Sequence, residues 1–274
     1  MMGWLIALAV LWLLWLSHRY AWWRPVVDFR RPRILMYHMV SPHRRGATFN
    51  GLRVTPERFE AQLAFMKKEG WHFYTVSDLW RQWDTLPEKS VAITFDDGYA
   101  DNLHNALPLL EKYDAKATIY MVVDRHDRDW STHKKAHHDS GELAREPKLT
   151  DEEMRVLVQS GRIEIASHTL THINMATTTL DARRYELMQA RELLEKECGV
   201  PVRSFAYPFG IFGDEDVQLV RECGYETAVT TIDGIDQREP KPDPCRLKRI
   251  KVSGKDNQLA FVMRMRGGKR GLTK

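Results

Sequence analysis

Cysteine is scarce in this chain: Cys198, Cys223 and Cys245 are the only three, an odd number, and no two share CxxC spacing. That excludes a thiolate zinc knuckle and a disulfide framework, and it suits a reducing compartment. An excess of charge of one sign is also missing. The formal net charge is only +4, and no run of Lys and Arg interleaves with stacking aromatics, so nucleic acid is not an expected partner. No repeat of short period is visible. What the chain does have is apolar content: 43% of its 274 residues are hydrophobic, enough for one large α/β core.

Ionised side chains are absent from the opening run MMGWLIALAVLWLLWLS. The run is just long enough to cross a bilayer core as a helix, and Trp4, Trp12 and Trp15 leave it without the polar stripe of a soluble amphipathic helix. A transmembrane anchor is therefore expected over residues 1–20. A cleavable secretory signal would begin with basic residues and end with small ones, and SHRYAWWR follows instead. Trp22 and Trp23 suit an interfacial belt. Arg19, Arg24, Arg30, Arg31 and Arg33 all follow the apolar run and no basic residue precedes it. The positive-inside bias then puts the main domain on the cytoplasmic side, with the opposite face as the alternative. Residues 21–31 read as a basic juxtamembrane linker.

From Pro32 onward short apolar runs alternate with amphipathic segments. RILMY, VAITF, ATIYMV, RIEIAS, SFAYP, TAVTT and LKRIKV read as strands, several without polar alternation, as burial of both faces in a parallel sheet requires. Helices fill the gaps. TPERFEAQLAFMKKEG offers Thr55 as cap, Pro56 in the first turn and Gly70 past the end, while TDEEMRVLVQSG carries the Thr150/Glu153 capping-box pattern. This rhythm predicts a parallel barrel or a doubly wound sheet, with chemistry at the C-terminal ends of the strands.

Asp96 and Asp97 stand just beyond VAITF, followed by Gly98. Alone, Asp before Gly is also a common turn. His168 and His172 follow another strand, RIEIAS, four residues apart, a spacing that lets two imidazoles reach one ion. They could equally be polar loop residues capping nearby backbone. Two His and one Asp would leave coordination positions open for water and substrate, as a hydrolytic metal needs.

TFDDG, SHTLTH and FAYPFG, in this order and at these separations, resemble the polysaccharide deacetylase family, also called the NodB-homology or carbohydrate esterase 4 group. The likeness spans about residues 32–252 and is greatest to the subgroup with YHMV-like and AYPFG-like segments, which includes poly-N-acetylglucosamine deacetylases. The resemblance implies an α/β fold, a distorted parallel (β/α) barrel over 32–255. It also implies Asp96 as general base, and Asp97, His168 and His172 as ligands of a divalent metal, commonly zinc, with cobalt, nickel or manganese acceptable to the same donors. The backbone N–H of Phe209 would serve the oxyanion, with Tyr207 and Pro208 beside the substrate. Many relatives carry an arginine where this chain has Ala206, and that arginine orients the base, so how Asp96 is held is left open. LKRIKV has no histidine, whereas relatives with the ordinary strand order take the general acid from a late strand; as in the circularly permuted subgroup, His38 is the candidate, a backbone-bonded histidine being the plainer alternative.

Residues 124–149 read as an inserted surface loop over the barrel mouth. Its His126, His133, His137 and His138 sit among many charges, and Trp130 is a candidate to stack on a sugar ring. Asp101 and Asn102 read as a helix cap, and residues 256–274 as a basic, disordered tail that could touch anionic lipid or glycan. Together these residues predict a metal-dependent deacetylase acting on an N-acetylated glycan or glycolipid at a bacterial-type inner membrane. The alternatives are a deformylase or other amidase on a lipid-linked aminosugar, a deacetylase of lipopolysaccharide core, and a non-catalytic glycan-binding module that keeps the pocket.

Overall fold

Seven parallel strands close on themselves. The computed structural model describes residues 2–133, 140–269 and 271. Its strands are β1 (Arg33–Tyr37), β2 (Met39–Val40), β3 (Arg53–Val54), β4 (His72–Tyr74), β5 (Ser90–Asp96), β6 (Ala117–Met121), β7 (Ile163–Ser167), β8 (Ser204–Ala206), β9 (Thr227–Asp233) and β10 (Leu247–Lys251). The main sheet runs β1-β10-β9-β8-β7-β6-β5, and β5 returns to pair with β1, which closes the barrel. Along β5, β4 pairs with Ser90–Ala92 and β6 with Ile93–Asp96. All seven barrel strands are ones the apolar runs predict. The barrel is distorted where pairing is thin: β7 meets β8 through Ser167↔Phe205 alone, and the β9–β10 register shifts between Leu247 and Arg249.

Side-chain alternation sorts the core into two layers. Ile34, Ala92, Tyr120, Ala166, Ala206, Val229 and Leu247 point into the barrel, where Val76, Leu79 and Trp83 pack against them. Their sequence neighbours Leu35, Val91, Ile93, Phe95, Ile119, Ile165, Phe205 and Ala228 face the other way, into the larger layer under the helices. The helices are α1 (Met2–Tyr20), α2 (Pro56–Lys68), α3 (Val76–Arg81), α4 (Leu107–Lys112), α5 (Asp151–Gln159), α6 (Leu180–Cys198), α7 (Asp214–Glu222) and α8 (Gln258–Gly267). Thr55 caps α2, and α5 opens on the full Thr150/Glu153 box, with Glu153 N donating to Thr150 Oγ1 at 3.1 Å and Thr150 N to Glu153 Oε2 at 2.8 Å.

Three expectations change. The apolar opening run is helical and its side chains from Trp4 to Trp15 are mostly exposed, but among the described residues no helix is long and apolar enough to cross a membrane, so the spanning anchor over 1–20 is not supported. Residues 21–31 are not a free linker: Val27 N donates to Arg266 O, Lys89 N to Phe29 O, and the Phe29 ring meets Trp71 edge-on. The segment 256–274 is not a loose tail either. Asn257 caps α8, Phe261 and Met265 are buried, and buried Arg264 reaches Asp256 at 2.8 Å, so hydrophobic burial and a paired charge dock this helix on the barrel. Residues 270 and 272–274 lie outside the described residues.

Candidate active site

Asp96 is the last residue of β5 in register with its neighbour, opposite Tyr120. Ile93 and Phe95 face the helices, so alternation turns Thr94 and Asp96 inward. Asp97 leaves the strand with φ 78° and Gly98 follows with φ 71°. This turn separates two adjacent carboxylates, so that each meets a different set of partners. Gly98 is required here, because a Cβ would stand 2.8 Å from Met121 Sδ on top of the left-handed backbone.

Asp96 meets an arginine that the sequence reading does not identify. Arg249, fully buried on β10, donates from Nη1 to Asp96 Oδ1 at 2.6 Å and from Nη2 to Oδ2 at 2.8 Å. The guanidinium is itself fixed by Thr230 O at 2.8 Å and Thr94 Oγ1 at 3.1 Å. Burial pushes the Asp96 carboxyl up in pKa, but the charge and hydrogen bonds of Arg249, helped by His168 and His38, hold it below the usual carboxylate range. Arg249 thus holds the Asp96 carboxylate, a contact the sequence reading left open at Ala206, and does so from β10 instead of β8.

Asp97, His168 and His172 form the only cluster of potential metal-ligating groups among the described residues: one donor atom from each lies within 4.8 Å of the others, and all three are buried. His168 Nδ1 sits 2.7 Å from the carbonyl oxygen of Ala206. A carbonyl only accepts, so Nδ1 carries the hydrogen and Nε2 presents its lone pair toward Asp97 Oδ1, 3.6 Å away. Burial, with the neighbouring His172 second, lowers the His168 pKa to about 4. His172 Nε2 lies 3.4 Å from the same Asp97 oxygen. Burial raises the Asp97 pKa, while the hydrogen bond with His172 and the charges of His38, His172 and His168 outweigh it, leaving the group ionised. A carboxylate and two imidazoles, one locked in the ligating tautomer, fit a divalent cation of zinc-like softness.

These groups line a cleft of about 340 Å³ together with His38, Phe49, Leu52, Trp130, Leu143, Tyr207, Phe209, Thr231 and Lys251. His38 is half-buried just past β1. Its segment is pinned by Asn102 Nδ2 donating to His38 O at 3.0 Å, Val40 N donating to Asp101 Oδ1 at 3.1 Å and Asn105 Nδ2 donating to Val40 O at 2.7 Å. Asp101 and Asn102 therefore hold the candidate acid's strand end; neither side chain caps the helix that follows.

Phe209 adopts φ 57° and ψ −3°, a left-handed conformation uncommon outside glycine. Gly210 follows at φ 69°, where a Cβ would fall 1.8 Å from Thr231 Oγ1. Pro208 is buried and fixes the turn instead of lining the cleft. Tyr207 does line it, but its hydroxyl is engaged, donating to Cys245 O at 3.0 Å, and its ring stacks on Phe212. Trp130 also departs from expectation. It is 3% exposed and its ring stacks on His172, with centroids 4.8 Å apart, so it offers no open face to a sugar ring.

The described part of the insertion from residue 140 to 149 is packed, with two of its carboxylates paired. Buried Arg53 joins Glu142 at 2.8 Å and Glu146 at 2.7 Å, tying the insertion to β3. Of its histidines, His137 and His138 lie outside the described residues.

Comparison with known proteins agrees with this geometry. Residues 84–228 match the polysaccharide deacetylase family. A Bacillus subtilis protein, YxkH, whose name places it among polysaccharide deacetylases, is 33% identical over 231 residues, covering 83% of this chain and 74% of its own length. The poly-β-1,6-N-acetyl-D-glucosamine N-deacetylase of Staphylococcus epidermidis is 23% identical over 210 residues, 73% of this chain and 68% of that protein. Among solved structures, one from Bacillus anthracis titled as a polysaccharide deacetylase superposes with a TM-score of 0.71 at 28% identity, covering 85% of this chain and 68% of that one. With more than half of its length matched and the site residues gathered at the strand ends of a closed parallel barrel, the chain belongs to the polysaccharide deacetylase family, hydrolases of amide bonds.

Proposed function

We propose that this protein is a metal-dependent hydrolase that removes N-acetyl groups from an amino sugar within a glycan or glycolipid. The observation that carries the reading is the division of two adjacent carboxylates, Asp97 with His168 and His172, Asp96 with Arg249. Asp97, His168 and His172 would hold a divalent ion, which when bound would supply acidification of a water and polarisation of the acetamide carbonyl. Asp96, kept ionised by Arg249, takes the proton of the attacking water. The backbone N–H of Phe209 donates to the oxyanion, on a turn that Pro208 and Gly210 hold rigid. His38, which lines the same cleft, gives a proton to the departing amine as the C–N bond breaks, and acetate and a free amino sugar leave.

The test is acetate release from N-acetylglucosamine oligosaccharides by the full chain after chelation and after reloading with zinc, cobalt, nickel or manganese. Metal-restored release supports the reading. Formate release from an N-formyl sugar alone would favour a deformylase. Oligosaccharide binding with no turnover under any metal would identify a binding module.

We infer further that the protein works at a membrane surface, on the cytoplasmic side. What supports this is the exposed apolar face of α1, with Trp4, Leu8, Leu11 and Trp15 uncovered, followed by exposed Trp22 and Trp23 and by Arg24. Fractionation of the full chain against one lacking residues 1–24 checks the association, and a C-terminal reporter checks the side, periplasmic activity reversing the assignment.

A further inference from the structure

His168 has its ring set by a backbone carbonyl; His172 lies in the turn beyond β7 at φ 56°, a strained conformation that persists only where its surroundings enforce it. Its surroundings are aromatic. The Trp130 ring lies nearly parallel to the imidazole, at 4.8 Å and 22°, while Phe209 and His168 meet it edge-on at 4.4 and 4.7 Å. One flat wall and two edges leave the imidazole little freedom to tip.

The flat wall comes from the insertion, which is built to hold it. Lys148 Nζ lies 5.1 Å from the Trp130 ring centroid and 4.6 Å from that of Tyr99, within cation–π range. The same ammonium donates to Leu143 O at 2.7 Å and Glu146 O at 3.0 Å, and it is buried. Backbone bonds stitch this stretch to the turn that carries the carboxylates: Ala100 N donates to Pro147 O and Leu149 N to Gly98 O, both at 2.9 Å. The segment that supports Trp130 is thus bonded to the residues that follow Asp97.

We propose that Trp130 is a positioning residue for the metal ligand His172, and that Lys148 holds Trp130 against it, so that these two residues of the insertion complete the metal site. This rests on the reading of Asp97, His168 and His172 as metal ligands. Groups that orient a ligand without touching the ion change metal affinity by about 10–100-fold when removed.

The test measures zinc and cobalt affinity of the full chain by competition with a chromophoric chelator, and the visible spectrum of the cobalt form, for the wild type, Trp130→Leu, Trp130→Phe and Lys148→Met. Trp130→Leu is expected to weaken metal about 10–100-fold and shift the cobalt band. Trp130→Phe, which keeps a flat ring, is expected to restore most of both, and Lys148→Met to show a smaller loss in the same direction. On an N-acetylglucosamine oligosaccharide at subsaturating metal, kcat is expected to fall with KM little changed. Metal affinity within twofold of wild type and an unaltered cobalt spectrum in Trp130→Leu overturn the proposal, and a raised KM in that case makes Trp130 a substrate wall. Should Trp130→Leu fail to fold, Lys148→Met decides, wild-type affinity there overturning the role of Lys148 and with it the support of Trp130. A wild-type chain that binds no metal at one equivalent sinks the metal-site reading itself, whatever the variants do.

Discussion

Arg249 grips both oxygens of Asp96 from 153 positions away in the chain, at 2.6 and 2.8 Å, with both side chains buried. A buried pair of this kind is dangerous to break on one side only, since the remaining charge has neither water nor partner. Arg249→Met is therefore expected to destabilise the fold by about 3–5 kcal/mol and to raise the pKa of Asp96, moving the acid limb of the kcat/KM profile to higher pH. Asp96→Asn in the Arg249→Met background should recover part of that stability. The two losses are then less than additive, which thermal unfolding of the single and double variants reads directly.

The contrast between this pair and the strands around it shows what a single sequence reveals. RILMY, VAITF and ATIYMV are legible because strands buried on both faces have few polar residues, and TFDDG and SHTLTH because they occur together with FAYPFG in one order, although each block alone has an ordinary turn or capping use. Arg249 is not legible. LKRIKV alternates like a half-exposed strand, and only the count of two from inward-facing Leu247 hints that Arg249 points into the barrel. Trp130 reads as a sugar platform because its imidazole partner belongs to a turn 42 positions further on, and no local pattern joins them. The 21–31 and 256–274 segments read as linker and tail because their burial depends on contacts with each other and with the barrel.

The proposed role of His38, proton donation to a poor leaving group, is separable from binding. His38→Gln should lower kcat on an N-acetyl amino sugar by about 10²–10⁴-fold while leaving metal affinity within a few-fold. On an aryl acetate, whose leaving group departs without a proton, the same variant should lose far less. Equal losses on both substrates would remove His38 from the acid role.

Asp101 supplies a pH test of the strand end that carries His38. Burial, against the backbone hydrogen bond from Val40, raises its pKa from 3.8 to about 6. Between those values the folded chain keeps a proton that the unfolded chain has released, so folding stability falls as pH rises through this window, by on the order of 3 kcal/mol in all. The favourable contribution is complete below pH 3.8 and gone above about pH 6. Asp101→Asn keeps an acceptor for Val40 N and cannot ionise. Its unfolding free energy, measured by urea titration from pH 4 to 7, should lack this downward component, and the gap in its favour should widen toward neutral pH. A constant gap would show that Asp101 ionises in the fold without penalty.

The turn that presents the Phe209 N–H depends on a missing side chain. At Gly210 a Cβ would meet three atoms of Thr231, the nearest 1.8 Å away, and φ is 69°. Gly210→Ala then combines two penalties, about 1–3 kcal/mol of overpacking and roughly 1 kcal/mol for a left-handed alanine. Thr231→Ala removes the methyl and hydroxyl that the new Cβ would strike but cannot change the backbone conformation. Because the Cβ of residue 231 stays 2.6 Å from the new one, the double variant should regain only part of the overpacking share of stability and keep the conformational share of the loss. Activity follows a different course: if the Phe209 N–H serves the oxyanion, kcat stays depressed in the double variant as long as the turn is displaced, even where the melting temperature has largely recovered. Full return of kcat along with stability would separate the turn from the chemistry and leave Gly210 a packing residue alone.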